Sequence, residues 1–452
     1  MRETEIMKPL DVGSRRELFI DDYLIENLQG GARQILHHPE AREIVLEHDR
    51  AWEGNTCGYH TFFRDGNIVR AYYRGSHHGK VQRDDIAPQV ACMAESEDGI
   101  TWRKPALGLF EHNGSSVNNI ILTGLGRHNF APFRDTNPDC APDQQYKALG
   151  GNKEDGGLFA FTSSDGIHWK STFEEPVITD GAFDSQNLAF WDPQIGQYRA
   201  YYRDFTKDKV RDIKTATSPD FKNWTPGEWL EYPGAPTEQL YTNQILSYHR
   251  APHLYLGFPT RYLPDRGQIT EGLFMSSRDG HSFNRWGEAL IRPGANRDRW
   301  GNRCNYIWHG LIETPSPFPC APNELSLYST EHYYEGNSNR VRRFALRLDG
   351  FVSINAPLSG GELLTKPFLF DGNRLTINAS TSAAGWIRVE VQDKNGKALP
   401  GYSLDDCNEF WGDEIEGHVT WKEKPTLDVA EDKPIRLRFV MSDADIYALR
   451  FL

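Results

Sequence analysis

One short phrase recurs along the chain and limits what it can fold into. Ser163-Ser164-Asp165-Gly166-Ile167-His168-Trp169 is preceded by SEDGITW (Ser96 to Trp102) and followed by SPDFKNW (Ser218 to Trp224). SRDGHSF (Ser277 to Phe283) and a weaker RLDGFVS (Arg347 to Ser353) complete the series. Asp-Gly supplies the positive φ angles that a tight turn between two strands needs. In the first four copies an aromatic residue stands four positions after the aspartate, and successive aspartates lie 55 to 70 residues apart. Each interval holds short runs rich in aromatic and β-branched residues, bounded by Pro, Gly and Asp. In the third, NLAFWDP, QYRAYYRD and RDIKTATSPD precede Trp224. Such runs read as successive antiparallel strands. Four strands per interval, repeated five times, predict a five-bladed β-propeller in an all-β protein. The phrase then joins the third and fourth strands of each blade, and its aspartates are structural.

Past Asn355 the pattern changes. LTINASTSAAGWIRVEVQD and IRLRFVMSDADIYALRFL alternate polar and apolar residues without the turn phrase, which predicts a C-terminal β-sandwich. The expected organisation is an N-terminal lead-in (residues 1–50) packing on the propeller, the propeller itself (51–355) and the sandwich (356–452).

A formal net charge of −13 argues against nucleic acid, since little basic surface exists to replace phosphate counterions. No apolar run reaches the roughly 20 residues of a membrane span, and MRETEIMKPL contains no apolar signal core. The six cysteines form no CxxC pair, so neither a zinc site nor a redox motif is written in the sequence. Cys57, Cys92 and Cys304 are expected to be small buried hydrophobes. The default expectation is a free-thiol cytoplasmic protein, with a leader lost from the N-terminus as the alternative.

In a propeller the innermost strands run in one direction, and their starts converge on one mouth of the central tunnel. The five starts are WEGNT, GRHNF, FDSQN, EQLYTN and DRWGNRCN. They bring Glu53, His128, Asp184, Glu238 and Asp298 towards the mouth, with Asn55, Asn129, Asn187, Asn243, Asn305, Tyr241 and Arg303. Amides bond sugar hydroxyls without adding charge, and a pair of carboxyls supplies the acid and the base or nucleophile of glycoside cleavage. Asp184 with Glu53 is the leading catalytic pair, and Glu238 is the third candidate. His128 is an alternative acid, and Asp22, Asp298 and Glu271 are held in reserve. For the asparagines a second reading stands beside substrate binding: they satisfy backbone groups around a narrow tunnel. Arg303, Arg127 and Arg261 are of the type that holds a carboxylate or sulfate on an acidic sugar. No organic cofactor is required, although side-chain carbonyls around the tunnel leave a structural Ca²⁺ open.

The chain resembles the clan of five-bladed propeller glycosidases, which includes invertase–levanase and arabinanase–xylosidase families with mannoside phosphorylases as relatives. PFRDTNP with YKALGG (Pro132 to Gly150) is similar to the Arg-Asp-Pro segment of invertases, and AWEGNTCGYHTFFRDG (Ala51 to Gly66) resembles the first blade of the phosphorylases. The Ser-x-Asp-x-Gly-x-x-Trp boxes of sialidases are a second, looser likeness. The clan implies hydrolysis of glycans by carboxylates at the propeller mouth, and an invertase-like sandwich after it. This chain departs from the clan where an Asp-Pro opens the innermost strands: it has Asn129, Gln186-Asn187, Asn243 and Asn305 there. Asp135 matches the Arg-Asp-Pro aspartate by letter but falls at the turn end of its strand. The expected activity is a glycoside hydrolase, exo-acting on terminal sugars. A glycoside phosphorylase and a non-catalytic glycan-binding propeller are the alternatives.

Overall fold

A computed structural model describes residues 9–78, 89–422, 424–430 and 432–452. Among them, regular structure is strand apart from three single turns of 3-10 helix. No helix is long and apolar enough to cross a membrane. The chain forms two compact units. One comprises Pro39–Tyr248 and Pro252–Ala345; the other is drawn from residues up to His38, from His249–Ala251 and from Leu346–Leu452.

The larger unit is a five-bladed propeller. Blade 1 pairs Gly58–Asp65, Ile68–Gly75, Val90–Ser96 and Trp102–Arg103, with Ile120–Leu122 added at the edge of Val90–Ser96. Blade 2 is Ala131–Arg134, Tyr146–Gly150, Phe159–Ser163 and Lys170–Ser171; blade 3 is Leu188–Asp192, Gln197–Phe205, Arg211–Ser218 and Glu228–Trp229. Blade 4 is Leu246–Tyr248, Ala251–Gly257, Met275–Ser277 and Asn284–Arg285, with the hairpin Thr260–Leu263/Ile269–Gly272 inserted between its second and third strands.

Blade 5 corrects the sequence reading. Its first three strands are Ile312–Thr314, Glu324–Glu331 and Arg340–Arg347, but the fourth is Glu40–Glu47, paired antiparallel from Arg340↔Glu47 to Ala345↔Glu40. The strand expected after RLDGFVS, Val352–Ala356, instead pairs with Ile435–Phe451 and Arg33–Leu36 in the smaller unit. A ring of blades needs one closure that chain connectivity cannot make, and here a ladder between two distant segments makes it. The lead-in accordingly divides: Glu40–Glu47 belongs to the propeller, whereas Leu10–Leu36 supplies strands to the C-terminal sheet. That sheet is one network of ten strands built on the long antiparallel pair Leu375–Asp393 and Ile435–Phe451. Its core includes Phe19, Ile354, Trp421 and Phe439.

The repeated phrase does lie between third and fourth strands in blades 1 to 4. In each copy the aspartate carboxylate accepts the amides two and three residues on. In blade 2 the Asp165 carboxylate accepts the Ile167 and His168 amides at 2.8 and 2.9 Å, and Ser163 Oγ accepts the Gly166 amide at 2.9 Å. Trp169 Nε1 closes the loop on the Gly166 carbonyl at 3.0 Å. The phrase also ties blades together. Tyr72 of blade 1 donates to the Gly166 carbonyl (2.9 Å), Tyr201 of blade 3 to Gly280 (2.7 Å) and Tyr328 of blade 5 to Gly99 (2.7 Å). A Cβ on Gly166 would stand 2.7 Å from the Tyr72 hydroxyl, and φ there is +75°. Glycine is thus required both by the turn and by the neighbouring blade.

Apolar clusters fill the gaps between blades. Tyr72 and Met93 meet Phe130 and Phe161 between blades 1 and 2. Leu149 and Leu158 meet Tyr202 and Ala216 between blades 2 and 3. The abundant aromatics are therefore used chiefly in blade packing, each pair adding to ordinary burial.

Candidate active site

The antiparallel order of a blade places two kinds of segment at the same end: the start of the first strand, and the turn from second to third. Both line a cleft of about 640 Å³ at the propeller mouth. First-strand starts bring Thr56, Arg127, His128, Asp184 and Arg303; second-to-third turns bring His77, His78, Asn152–Asp155, Tyr333 and Tyr334. Arg74, near the end of its blade's second strand, completes the floor.

Asp184 is the centre. Its Oδ1 accepts Tyr59 Oη at 3.1 Å and lies 3.2 Å from His128 Nε2, while Oδ2 accepts Tyr241 Oη at 3.0 Å. The side chain remains 48% exposed to the cleft. Burial acts to raise its carboxyl, but the His128 hydrogen bond and the field of Arg303, joined by Arg203, outweigh this and hold it well below the usual carboxylate range. Asp184 is therefore ionised throughout the physiological range, which suits a base or nucleophile and not a proton donor. Burial lowers His128 despite the neighbouring carboxylate, so its ring is neutral at neutral pH. In that state Nε2 carries the proton that Asp184 accepts.

Arg303 donates to Tyr241 Oη at 3.2 Å and lies over the rings of Tyr241, Tyr333 and Tyr334 at 5.6 to 5.8 Å. Arg74 donates to the Thr56 carbonyl and to Tyr333 Oη at 2.9 and 2.8 Å, and stacks over Tyr59 at 4.7 Å. Tyr59, Phe183, Arg303 and Tyr334 all have φ between +48° and +66°. Each such non-glycine conformation costs on the order of 1–3 kcal/mol, and four of them adjoin one cleft.

The sequence candidates separate sharply. Asp184, His128 and Arg303 line the cleft, and Tyr241 touches Asp184. Glu53 does not reach it. Its side chain is fully buried, accepting Tyr73 Oη at 2.6 Å, Lys104 Nζ at 2.7 Å and the Arg50 amide at 3.1 Å. Burial of a carboxylate demands such a full set of donors, so Glu53 is a structural anchor and not the partner of Asp184. Glu238 is taken up by Arg261 and Arg285, in a cluster with Glu271. Arg261 is committed there too. Of the reserve residues, Asp298 pairs with Arg340, Glu271 belongs to the Arg261 cluster, and Asp22 belongs to the smaller unit. Asp135 is buried against Lys147 and Tyr198, away from the cleft lining.

The asparagines take their backbone reading. Asn129 donates to the carbonyls of Gly151 and Phe183 at 2.8 Å each and accepts the Gly151 amide at 2.8 Å. Asn187 bonds the carbonyls of Phe183 and Ser185, Asn243 those of Gln186 and Tyr201, and Asn305 those of Thr270 and Arg299. Asn55 links the Gly336 carbonyl to the His78 amide. All five are buried, and their amides clamp neighbouring segments together. Deeper in the tunnel Gln186 donates to the His60 carbonyl and accepts from Gln244, at 2.8 Å each. Among the described residues no cluster of three or more His, Cys, Asp or Glu is placed to hold a metal ion.

Sequence reading missed the second-to-third turns. Among the described residues their carboxylates, Glu154 and Asp155, are the ones that share the cleft with Asp184. Asp155 turns back to accept the Asn152 amide at 3.1 Å, whereas Glu154 is exposed. Blade topology was the signal that could have found them.

No protein-family model matches this chain, and no curated protein matches it. Several solved structures are similar in shape. One described as a glycoside hydrolase superposes with a TM-score of 0.47 at 15% identity, covering 68% of this chain and 92% of its own. A thermostable family-43 glycoside hydrolase gives 0.46 at 11% identity over 68% and 92%. A GH32 β-fructofuranosidase from Bombyx mori gives 0.41 at 11% identity over 92% and 94%.

Proposed function

We propose that the chain is a glycoside hydrolase acting on the terminal sugar of an oligo- or polysaccharide. The observation that carries this reading is the ionised, half-exposed Asp184, held by three ring side chains inside a cleft floored by tyrosines. Tyr334, only partly buried at the cleft, offers ring surface for a sugar, and phenol and imidazole groups fix the carboxylate in one orientation.

Asp184 acts as the base that activates water or as the nucleophile; the carboxyl group opposite must donate a proton to the leaving oxygen. Glu154 is our candidate for that role, because it shares the cleft and is exposed to solvent. His128 orients Asp184.

The test is sugar release from a broad oligosaccharide panel by wild type, Asp184→Asn and Glu154→Gln, with and without inorganic phosphate. Release by wild type that Asp184→Asn abolishes is the expected result. Equal release by both would remove Asp184 from the chemistry. Release that needs phosphate would make the protein a phosphorylase.

A further inference from the structure

The protein carries a net charge of −13, yet the described lining of its cleft carries more cationic than anionic side chains. Among the described residues, four cationic side chains, Arg74, Arg127, Lys153 and Arg303, face three carboxylates, Glu154, Asp155 and Asp184. The imbalance deepens inward, because Glu154 and Lys153 lie at the exposed rim while Arg74 and Arg303 adjoin Asp184.

Buried arginines elsewhere in this molecule are paired. Arg16 meets Asp349, Arg199 meets Asp192, Arg285 meets Glu238, Arg299 meets Glu331 and Arg343 meets Glu43. The two remaining buried arginines are Arg74 and Arg203, and among the described residues neither makes an ion pair. Both adjoin the cleft centre: Arg203 stacks on Tyr241 at 5.0 Å, and Arg74 lies over Tyr59. Arg303 likewise has no carboxylate in ion-pair contact among the described residues. Among the described residues the buried Nε of Arg74 and Arg127 lack a protein acceptor, as do those of several arginines elsewhere, so the missing ion pairs are what set the cleft apart. Burying a guanidinium without a counter-charge is unfavourable, and a fold that pairs five such groups and leaves the rest around one cleft leaves room there for an anion.

We propose that the cleft is built for an oxyanion carried by the sugar itself, a uronate carboxylate or a sulfate ester, with Arg303, Arg74 and Arg127 as its cradle. The substrate class is then an acidic glycan. Guanidinium is suited to this, since its planar fork bonds two oxygens of one anion. The strained backbone at Arg303, φ +61°, is consistent with a side chain held in place for a ligand. A sugar-borne anion is favoured over free phosphate. Phosphate would replace the attacking base of a hydrolase, and Asp184 already occupies that role beside the same arginines.

The inference rests on the carbohydrate reading of the cleft, and a binding assay separates the two. Calorimetry would compare wild type with Arg303→Gln and Arg127→Gln, using matched oligosaccharides that end in a neutral sugar, a uronate or a sulfated sugar. Wild type should bind one acidic ligand at least about tenfold more tightly than the neutral one, the scale of a charge-assisted pair. Arg303→Gln should cut the ratio of acidic to neutral affinity to about twofold or less. Arg127 is half-buried, so Arg127→Gln gives a second reading if Arg303→Gln folds poorly. Equal binding of neutral and acidic ligands, or a preference that survives both variants, would overturn the inference. Turnover of neutral sugars dependent on inorganic phosphate would also overturn it, by placing the oxyanion on a co-substrate. Tight acidic binding without any release would keep the oxyanion site and sink the hydrolase; release without acidic preference would do the reverse.

Discussion

The two ends of the propeller are built on opposite principles. At the turn end the same seven-residue phrase recurs, its aspartate accepts the amides two and three residues on, and tyrosines from neighbouring blades close on three glycine carbonyls. At the mouth no phrase repeats. There the backbone is strained at Tyr59, Phe183, Arg303 and Tyr334, Arg74, Arg203 and Arg303 make no ion-pair contact among the described residues, and one aspartate is clamped by residues from blades 1, 2 and 4. Repetition stabilises a ring, since equivalent contacts recur at each blade. Chemistry needs the reverse, a set of different groups converging on one point.

The sharpest way to break this contrast is Asp184→Asn. Catalysis should fall by on the order of a thousandfold, the scale of losing an essential acid–base group, with the folded state intact by circular dichroism. A loss below about tenfold would remove the mouth's centre from the chemistry.

Asn129→Ala should act on stability, not on substrate. It deletes three buried backbone contacts, costing about 3 kcal/mol at roughly 1 kcal/mol each, read as a lower urea midpoint. KM unchanged in the folded fraction is the expected companion. A raised KM with unchanged stability would restore the substrate-binding role.

Between the two ends lie buried imidazoles. Burial lowers both His48 and His309 to about 4 from an unfolded value near 6.5. Between those values the unfolded chain binds protons that the folded chain refuses, so stability falls as pH drops from about 6.5 towards 4, by about 1 kcal/mol per histidine per pH unit. Chemical denaturation at about pH 7 and about pH 5 measures this, and a midpoint that does not move would contradict the buried neutral state.

The smallest effect belongs to the turn end. Gly166→Ala meets the Tyr72 hydroxyl and an unfavourable φ, for about 2 kcal/mol, whereas Gly196→Ala, at φ +63° with nothing near its Cβ, should cost about 1 kcal/mol. Thermal unfolding compares them. Equal losses would mean that the blade-to-blade hydrogen bond adds nothing.

The sequence alone determined the number of blades, the place of the turn phrase in blades 1 to 4 and the structural use of its aspartates. Those follow from contacts within a few residues, and local chemistry is written locally. Strand direction also put Asp184, His128, Tyr241 and Arg303 at the mouth, but together with Glu53, Glu238 and Asp298, which pair elsewhere. Only the tertiary structure decided the rest. Glu53 and Asp184 occupy equivalent starts of first strands, yet Lys104 and Tyr73 bury one while the other opens to the cleft. Glu40–Glu47 closes blade 5 because ring closure is a long-range pairing that no local pattern announces. The asparagines became clamps because the partners of an amide depend on which backbone lies opposite. A carboxylate's role is set by the charges and water around it, and those are assembled from segments far apart in the chain.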